Sequence, residues 1–211
     1  FSKKKPLRED RRGSCKIQAK EASYWWFVFS YKYFRKLKNV FSVSRDKVFG
    51  EAFITRPFNS TQNVKFASEV FDEFKKTIRN KNILIIEGRL TRFGLGNDLL
   101  EEAKSVRRIL GPEVDAYGRV EEIYKRAKSE TCDILLIALG PAAKILAYKL
   151  TIEGFICIDV GHLDIEYEWY KVRAKEKICI PNKFVNESKE RYIEDDFVDS
   201  DYERQIIYRC R

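Results

Sequence analysis

Residues 132–139 read CDILLIAL, and this continuous apolar run decides the fold class. A strand that is covered on both faces is apolar at nearly every position, as strands are inside a parallel sheet. Two more runs of this kind, NILIIE at 82–87 and FICIDV at 155–160, predict two further buried strands. A weaker strand is predicted at 106–110. The sequence therefore predicts a sheet whose central strands are parallel.

Helical patterns lie between these strands. Six apolar residues at three- and four-residue steps predict a core-facing helix before the first strand. They are Val64, Ala67, Val70, Phe71, Phe74 and Ile78. Further helices are predicted from Asn97 or Asp98 to Ser105, over residues 119–128, and from Gly140-Pro141 to a left-handed cap at Gly154. Strand and helix alternate in units of about 25 residues, which predicts an α/β fold: a Rossmann-like, mostly parallel sheet with helices on both faces.

Charge separates an N-terminal segment from the rest of the chain. The 211 residues carry a formal net charge of +9, yet residues 1–50 hold 14 Lys and Arg against 4 Asp and Glu, and the remainder hold 27 against 28. We therefore predict a basic, aromatic-rich segment at 1–46, a near-neutral domain at 47–187, and an acidic tail or helix at 188–211. The basic segment is interpreted either as an amphipathic packing element or as a peripheral contact with a membrane or partner. The chain lacks methionine, which indicates a fragment or a sequence that has lost residues.

Composition excludes several protein classes. Hydrophobic residues at 44% and aromatic residues at 14% exclude a chain that is disordered throughout. No run approaches the roughly 18 apolar residues that a membrane span requires, and no signal peptide is recognised, which predicts a cytoplasmic protein. The five cysteines are widely spaced and form no zinc-binding pattern, so we expect free thiols.

Glycines and polar residues follow the first long strand. In open α/β sheets, ligands bind at the carboxyl ends of the strands, which directs attention to residues 87–98, EGRLTRFGLGND. Glycines allow a backbone to approach a phosphate, and Arg89 or Arg92 would suit its oxygens. The same glycines also suit a plain strand-to-helix turn. Gly140-Pro141, after the next long strand, has the same two interpretations.

An acidic segment follows the third strand. Residues 159–169 read DVGHLDIEYEW, and an extended backbone would place Asp164, Glu166 and Glu168 on one side. Two carboxylates about 4 Å apart repel by roughly 4 kcal/mol at an effective dielectric near 20. Their grouping predicts a shared proton or a bound cation, and oxygen ligands suit Mg²⁺ or Mn²⁺. A solvated acidic loop is the alternative, and His162 is interpreted as a base, a ligand or a capping side chain.

Several uncommon sequence words occur in the order of a known family. They are AFITRPF at 52–58, IEG at 86–88, RFGLGNDL at 92–99, LGPAA at 139–143, IDVGHLDIEYEW at 158–169 and KFVNE at 183–187. Over about 47–187 the sequence resembles the bacterial GT-D glycosyltransferase domain, formerly a domain of unknown function. There are departures: Thr91 stands where a serine is usual, and Ala142-Ala143 replaces a threonine-containing pair. An N-terminal R-F-G-D-G-E type segment of the family has no counterpart.

The resemblance implies a metal-dependent glycosyltransferase that moves a hexose, with glucose the expected sugar, from a UDP-sugar to a glycan or glycoprotein acceptor. Asp164 and Glu166 would form the D-x-E element that holds Mn²⁺ or Mg²⁺ against the diphosphate. The predicted donor-binding residues are Glu87, Arg92, Gly94, Gly96, Asn97, Asp98, Gly140 and Pro141. The candidates for the base that an inverting reaction needs are Asp159, His162 and Glu168.

Two other function classes stay open on the sequence. The β-α-β order and Gly94-x-Gly96 also fit an NAD(P)-binding Rossmann oxidoreductase, although the third glycine of the dinucleotide fingerprint is missing. A non-catalytic anion-binding module would use the basic N-terminal segment, and its affinity would depend strongly on salt. Because the positive charge lies outside the domain, no nucleic-acid partner is expected.

Overall fold

The structure is a computed structural model that describes residues 54–59, 61–113, 115–185 and 198–210. Contacts divide the chain into two compact units, Phe1–Gly50 and Glu51–Arg211, and the fold below is that of the second. The predicted basic segment at 1–46 lies outside the described residues. The domain limits drawn from the sequence therefore stay a prediction.

One parallel sheet organises the described part of the chain. Its strands lie in the order β4-β3-β1-β2-β5, and each neighbouring pair is parallel. The strands are β1 (Asn82–Gly88), β2 (Ser105–Gly111), β3 (Ile134–Ala138), β4 (Cys157–Asp159) and β5 (Ile206–Arg209). The prediction of a mostly parallel sheet is confirmed, including the weaker strand that became β2.

Helices precede or connect these strands. They are α1 (Val64–Ile78), α2 (Val120–Lys128), α3 (Ala142–Ile152), α4 (Leu163–Lys171) and α5 (Ser200–Gln205), and a 3₁₀ turn at Ala116–Arg119 leads into α2. Gly154 follows α3 with a φ of 95°, as a left-handed helix end requires. None of the helices within the described ranges is long and apolar enough to cross a membrane.

Two hydrophobic cores cover the two faces of the sheet. Ile83 and Ile85 of β1 point to the core that contains α1 and α4, whereas Leu84 and Ile86 point to the core that contains α2 and α3. All four side chains are at most 1% exposed. Because alternate residues of a strand face opposite sides, burial on both faces explains why the run NILIIE lacks polar alternation. Helices on both faces are thereby confirmed.

The order of the strands creates a switch point between β1 and β3. The chain leaves β1 towards β2 on one side, and it leaves β3 towards β4 on the other side. In doubly wound sheets the crevice outside the strand ends at such a point is where ligands bind. Glu87 is in register with Ala138, so the loops after β1 and β3 begin side by side.

The helix predicted from Asn97 or Asp98 to Ser105 is wrong. Residues 97–98 form a bend and residues 99–102 form turns instead, and the segment joins the turn between α1 and β1 through backbone hydrogen bonds. Asn80 N donates to Glu102 O at 2.9 Å, and Lys104 N donates to Lys81 O at 2.9 Å. These tertiary bonds engage backbone groups that a helix would use in its own i to i+4 hydrogen bonds.

The C-terminal residues differ from the prediction in one respect. Residues 188–197 of the predicted acidic tail or helix lie outside the described residues, and Ser200–Gln205 is helical. Ile206–Arg209, however, is a strand that pairs in parallel with β2. The thiols of Cys132, Cys157, Cys179 and Cys210 are free, as expected, and Cys15 lies outside the described residues.

Candidate functional site at the carboxyl edge of the sheet

A buried carboxylate anchors the loop that follows β1, residues 88–98, which we call the glycine loop. Glu87 is 0% exposed, and its Oε2 accepts a hydrogen bond from Phe93 N at 2.7 Å. Its Oε1 accepts from Arg108 Nη1 at 2.6 Å and from the Tyr202 hydroxyl at 3.1 Å. Arg108 Nη1 also donates to Phe93 O at 2.9 Å. Glu87, predicted to bind the donor, therefore lies beneath the loop and fixes its shape.

Tyr202 reaches this carboxylate from α5. Burial raises the pKa of its hydroxyl, and the neighbouring Glu87 carboxylate adds to the shift. The Arg108 guanidinium lies 4.5 Å from the centre of the Tyr202 ring, a cation–π geometry. Tyr202 therefore stays a neutral donor, and it ties the C-terminal residues to the base of the glycine loop.

Two glycines allow the loop to turn sharply. Gly94 has a φ of 76° and Gly96 a φ of 73°, values that L side chains rarely adopt. A Cβ atom on Gly94 would lie 2.4 Å from Leu100 Cδ1, whereas a Cβ on Gly96 would have no atom within 4 Å. Gly94 is thus required by packing and conformation, and Gly96 by conformation alone. Arg92 Nη1 donates to Asn182 O at 2.7 Å, so it binds the loop to the segment after α4.

Asn97 joins the glycine loop to the acidic face of α4. Its Nδ2 donates to Asp164 Oδ1 at 2.8 Å and to Glu168 Oε1 at 2.6 Å, and its Oδ1 accepts from Leu99 N at 3.0 Å. Asp164 and Glu168 are four residues apart, a spacing that places side chains on the same face of a helix. The structure thus brings these two carboxylates together on a helix, whereas the sequence pattern grouped them with Glu166 on the condition of an extended backbone.

The three carboxylates would share one side only on an extended backbone, and this condition is not met, because Leu163–Lys171 is a helix. Glu166 is two residues from Asp164, and side chains at this spacing leave a helix about 200° apart. The Glu166 carboxylate accepts hydrogen bonds from Phe58 N at 3.0 Å and Asn59 N at 2.6 Å. Glu166 therefore holds the turn that precedes α1, on the other side of α4 from Asp164.

A buried lysine completes the cluster around Asp164. Lys183 Nζ lies 2.7 Å from Asp164 Oδ2 and 3.0 Å from Glu168 Oε1, and the Lys183 side chain is only 2% exposed. Both oxygens of Asp164 thus have partners, one in Asn97 and one in Lys183. We call the four side chains of Asn97, Asp164, Glu168 and Lys183 the brace.

A divalent ion shared by Asp164 and Glu166 does not fit this arrangement. The two carboxylates point in different directions, and an ammonium group already lies where a cation would contact Asp164. Among the residues that the structure describes, no group of three or more His, Cys, Asp or Glu side chains is placed to hold a metal. The D-x-E metal site therefore stays a prediction that the geometry of these two residues does not favour.

Asp98 forms a second polar cluster beside the brace. Its carboxylate accepts from Lys75 Nζ at 2.5 Å, from the Tyr167 hydroxyl at 2.9 Å and from Lys171 Nζ at 3.3 Å. The hydrogen bond from Lys75 holds the pKa of Asp98 well below its usual range, against the opposing effect of partial burial. Burial alone would lower the pKa of Lys75, but its bonds to Asp98 and Tyr167 raise it. Asp98, predicted to bind the donor, is tied to α1 and α4.

The remaining predicted residues lie at the ends of β3 and β4. Asp159 ends β4 in register with Ile137, is half-buried, and accepts from Gly161 N at 3.2 Å. His162 is the residue before α4 and is also half-buried. Gly140, with a φ of 54°, and Pro141 lead into α3. The structure therefore places the loop after β3 next to the glycine loop, and Asp159 one strand further out.

Several residues of the site were missed by the sequence analysis. They are Lys75, Arg108, Lys183 and Tyr202. Lys183 stands in the word KFVNE, which contributed to the resemblance, but nothing in that word indicated a buried ammonium. The others are single charged or aromatic residues in otherwise ordinary patterns, and no local signal marked them.

A parallel sheet with helices on both faces and a glycine loop at its switch point defines the Rossmann-like α/β class. Within this class the chain belongs to the glycosyltransferase GT-D fold family, whose model matches residues 12–188. The resemblance inferred from the sequence is confirmed. This membership favours the glycosyltransferase interpretation over the oxidoreductase and the non-catalytic module.

Streptococcal proteins are similar to this chain. It is 37% identical over 167 residues to glycosyltransferase GlyD of Streptococcus pneumoniae serotype 4, a match over 78% of this chain and 20% of that protein. It is also 37% identical over 153 residues to the probable glycosyl transferase Gly of Streptococcus gordonii, over 72% of this chain and 22% of that protein. The chain therefore spans only 20% to 22% of the length of these curated relatives.

A solved structure agrees with the fold. The glycosyltransferase from Streptococcus sanguinis, a domain of unknown function 1792, is 31% identical to this chain and superposes with a TM-score of 0.75. The superposition covers 91% of this chain and 71% of the other. The α/β architecture of the described residues is thus shared with a solved glycosyltransferase structure.

Proposed function

We propose that this chain is the donor-binding, catalytic domain of a glycosyltransferase that moves a hexose, with glucose the favoured sugar, from a UDP-sugar to a glycan or glycoprotein acceptor. One observation carries the proposal: the glycine loop, fixed at its base by Glu87, lies at the switch point of the sheet in a chain of the GT-D family. A fixed loop at this point is where α/β folds hold the diphosphate of a nucleotide.

In this proposal the donor diphosphate lies across the ends of β1 and β3. Register pairing of Glu87 with Ala138 makes the glycine loop and Gly140-Pro141 neighbours. Backbone N–H groups of the loop and of the first turn of α3 would balance the negative charge of the diphosphate, since helix N-termini and glycine turns both favour anions. The leaving UDP is stabilised by the same groups, and the acceptor hydroxyl attacks the anomeric carbon.

Asp159 is the base that we favour among the three candidates if the reaction inverts the anomeric centre. Its carboxylate is partly exposed at the end of β4 and accepts one described bond, from Gly161 N. Glu168, in contrast, bonds both Asn97 and Lys183 within the brace. A general base must reach the acceptor proton, and the partial exposure of Asp159 supports this choice. Dependence on Mn²⁺ or Mg²⁺ stays a prediction for the donor-bound protein.

Ligand binding and turnover test the proposal together. UDP, UDP-glucose, ADP and NADH would be titrated calorimetrically into the 211-residue chain, with and without Mn²⁺, and UDP release from UDP-glucose would be followed with a coupled assay. We expect UDP and UDP-glucose to bind at least about tenfold more tightly than ADP or NADH, a difference of about 1.4 kcal/mol. Asp159→Asn is expected to reduce UDP release, whereas the matched Asp72→Asn, on the exposed face of α1, should not. Saturable NADH binding without UDP binding would contradict the proposal.

A further inference from the structure

The brace contains two carboxylates, as a metal site would, but the cation between them is the side chain of Lys183. Lys183 Nζ contacts Asp164 Oδ2 at 2.7 Å and Glu168 Oε1 at 3.0 Å. Asn97 Nδ2 donates to the same two carboxylates. Two negative charges and one positive charge are thus gathered where the Asp164 and Lys183 side chains are 3% and 2% exposed.

Such a group is stable only if its charges compensate one another. Moving an isolated ion out of water costs several kcal/mol even after the protein relaxes, so the buried Asp164 carboxylate and the partly buried Glu168 carboxylate beside it require a nearby positive charge. A divalent metal and an ammonium group are alternative ways to provide it. In this chain the ammonium is the charge in contact with both carboxylates.

The segment that carries Lys183 is fastened at several points, so the lysine is held in place. Phe184 N donates to Leu90 O at 2.8 Å, and Arg92 Nη1 donates to Asn182 O at 2.7 Å. Further upstream, Trp169 Nε1 donates to Ile178 O at 2.9 Å. The glycine loop and α4 therefore position the residues on both sides of Lys183, and the ammonium group is built into the fold.

We propose that the Lys183 ammonium occupies the position beside the Asp164 and Glu168 carboxylates that a divalent metal would otherwise take. The brace therefore contains a lysine as its cation and does not bind a divalent metal in the working protein. Lys183 is then a positioning residue, because it acts on the glycine loop through Asp164, Glu168 and Asn97. The inference deepens the proposed function, since it concerns the same site, but its readout is metal binding to the protein alone and does not depend on sugar transfer.

Removal of the ammonium should convert the brace into a metal site. Lys183→Ala leaves two carboxylates facing a space that a side chain used to fill. Carboxylate oxygens around such a space are ligands that Mn²⁺ accepts. The variant is therefore expected to gain one Mn²⁺ site, and the site should require Asp164.

The experiment measures Mn²⁺ binding without nucleotide, by the loss of the free Mn²⁺ signal in electron paramagnetic resonance. The proteins are the unmodified chain, Asp164→Asn, Lys183→Ala, and the double variant Lys183→Ala/Asp164→Asn. Lys177→Ala is the matched control, because Lys177 is an exposed lysine in the same segment. We expect the unmodified chain, Asp164→Asn and Lys177→Ala to bind Mn²⁺ equally weakly, Lys183→Ala to bind one ion at least about tenfold more tightly, and the double variant to lose that gain.

Two results would overturn the inference. One is a stoichiometric Mn²⁺ site in the unmodified chain that disappears in Asp164→Asn; the other is a folded Lys183→Ala with no gain in Mn²⁺ affinity. If Lys183→Ala does not fold, as circular dichroism would reveal, the comparison of the unmodified chain with Asp164→Asn still decides the matter. Failure of the chain to release UDP from UDP-glucose would contradict the proposed function. It would not affect the result of the Mn²⁺ titrations, which are made without nucleotide.

Discussion

Arg108 Nη1 lies 2.6 Å from Glu87 Oε1, and both side chains are almost wholly buried, at 3% and 0% exposure. This ion pair links β1 to β2 directly beneath the glycine loop. The Glu87 carboxylate also holds Phe93 N, so the electrostatics of the core and the shape of the proposed donor site depend on the same group.

Loss of one partner of this pair is expected to destabilise the domain strongly. Arg108→Met leaves the Glu87 carboxylate buried without its positive partner, and the expected loss in the free energy of unfolding is about 3–5 kcal/mol. Urea denaturation followed by circular dichroism measures it. Arg79→Met, which breaks the exposed pair with Glu102, serves as the control and should change stability little. Equal losses of unfolding free energy in the two variants would show that burial does not strengthen the contribution of the Arg108–Glu87 pair.

The two glycines of the loop allow a matched comparison. Gly96→Ala imposes only a left-handed conformation on alanine, a cost of about 1–2 kcal/mol. Gly94→Ala imposes the same strain and also drives a Cβ into Leu100 at 2.4 Å, so overpacking should add about 1–3 kcal/mol. Gly94→Ala should therefore have the lower midpoint of thermal unfolding, and calorimetry should show that it binds UDP more weakly than Gly96→Ala does. The reverse ranking would show that the loop relaxes around Leu100.

Loss of the Asn97 side chain is expected to do less damage than its replacement by a negatively charged side chain. Asn97→Ala loses hydrogen bonds to two charged groups, each worth about 1.5–3 kcal/mol. Asn97→Asp places a third carboxylate within hydrogen-bonding distance of Asp164 and Glu168, where repulsion replaces attraction. UDP affinity and the midpoint of urea unfolding should therefore fall further in Asn97→Asp than in Asn97→Ala. Equal behaviour of the two variants would mean that the brace does not sense charge at this position.

Asp98 should make the stability of the domain depend on pH. The bond from Lys75 lowers the pKa of this carboxyl in the folded protein, so its contribution is fully present above the unfolded pKa of about 4 and is lost as pH falls below that value. The side chain is 42% exposed, so screening limits the effect to less than about 1 kcal/mol. The difference in unfolding free energy between the unmodified chain and Asp98→Asn should shrink from pH 6 to pH 3. Asp72→Asn is the control, and a difference that grows on acidification would contradict the assignment.

The sequence predicted the sheet well because burial on both faces leaves a local mark. β1 and β3 follow from uninterrupted apolar runs, since a strand covered on each side has no polar alternation. The helix α4 was not predicted, for a related reason. Leu163, Ile165 and Trp169 are buried around nearly the whole helix, so no polar stripe with a period of 3.6 residues remained to reveal it.

The brace and the base of the glycine loop depend on contacts that no local pattern contains. Lys183 and Asp164 are 19 residues apart, and Tyr202 and Glu87 are 115 residues apart. The grouped carboxylates indicated a shared proton or a nearby cation, and the structure contains a cation, the Lys183 ammonium. The sequence favoured a metal in that role because a lysine further along the chain becomes a candidate only once the fold brings it close.

The strand Ile206–Arg209 lies beyond residue 188, where the match to the family model ends. A recombinant piece cut to the matched residues would lack this strand and would leave the backbone of β2, Ser105–Gly111, unpaired on one side within the described sheet. Open strand edges recruit other chains, so we expect such a piece to self-associate and precipitate, whereas the 211-residue chain would not do so through this edge. The smallest useful unit for expression therefore extends through residue 210.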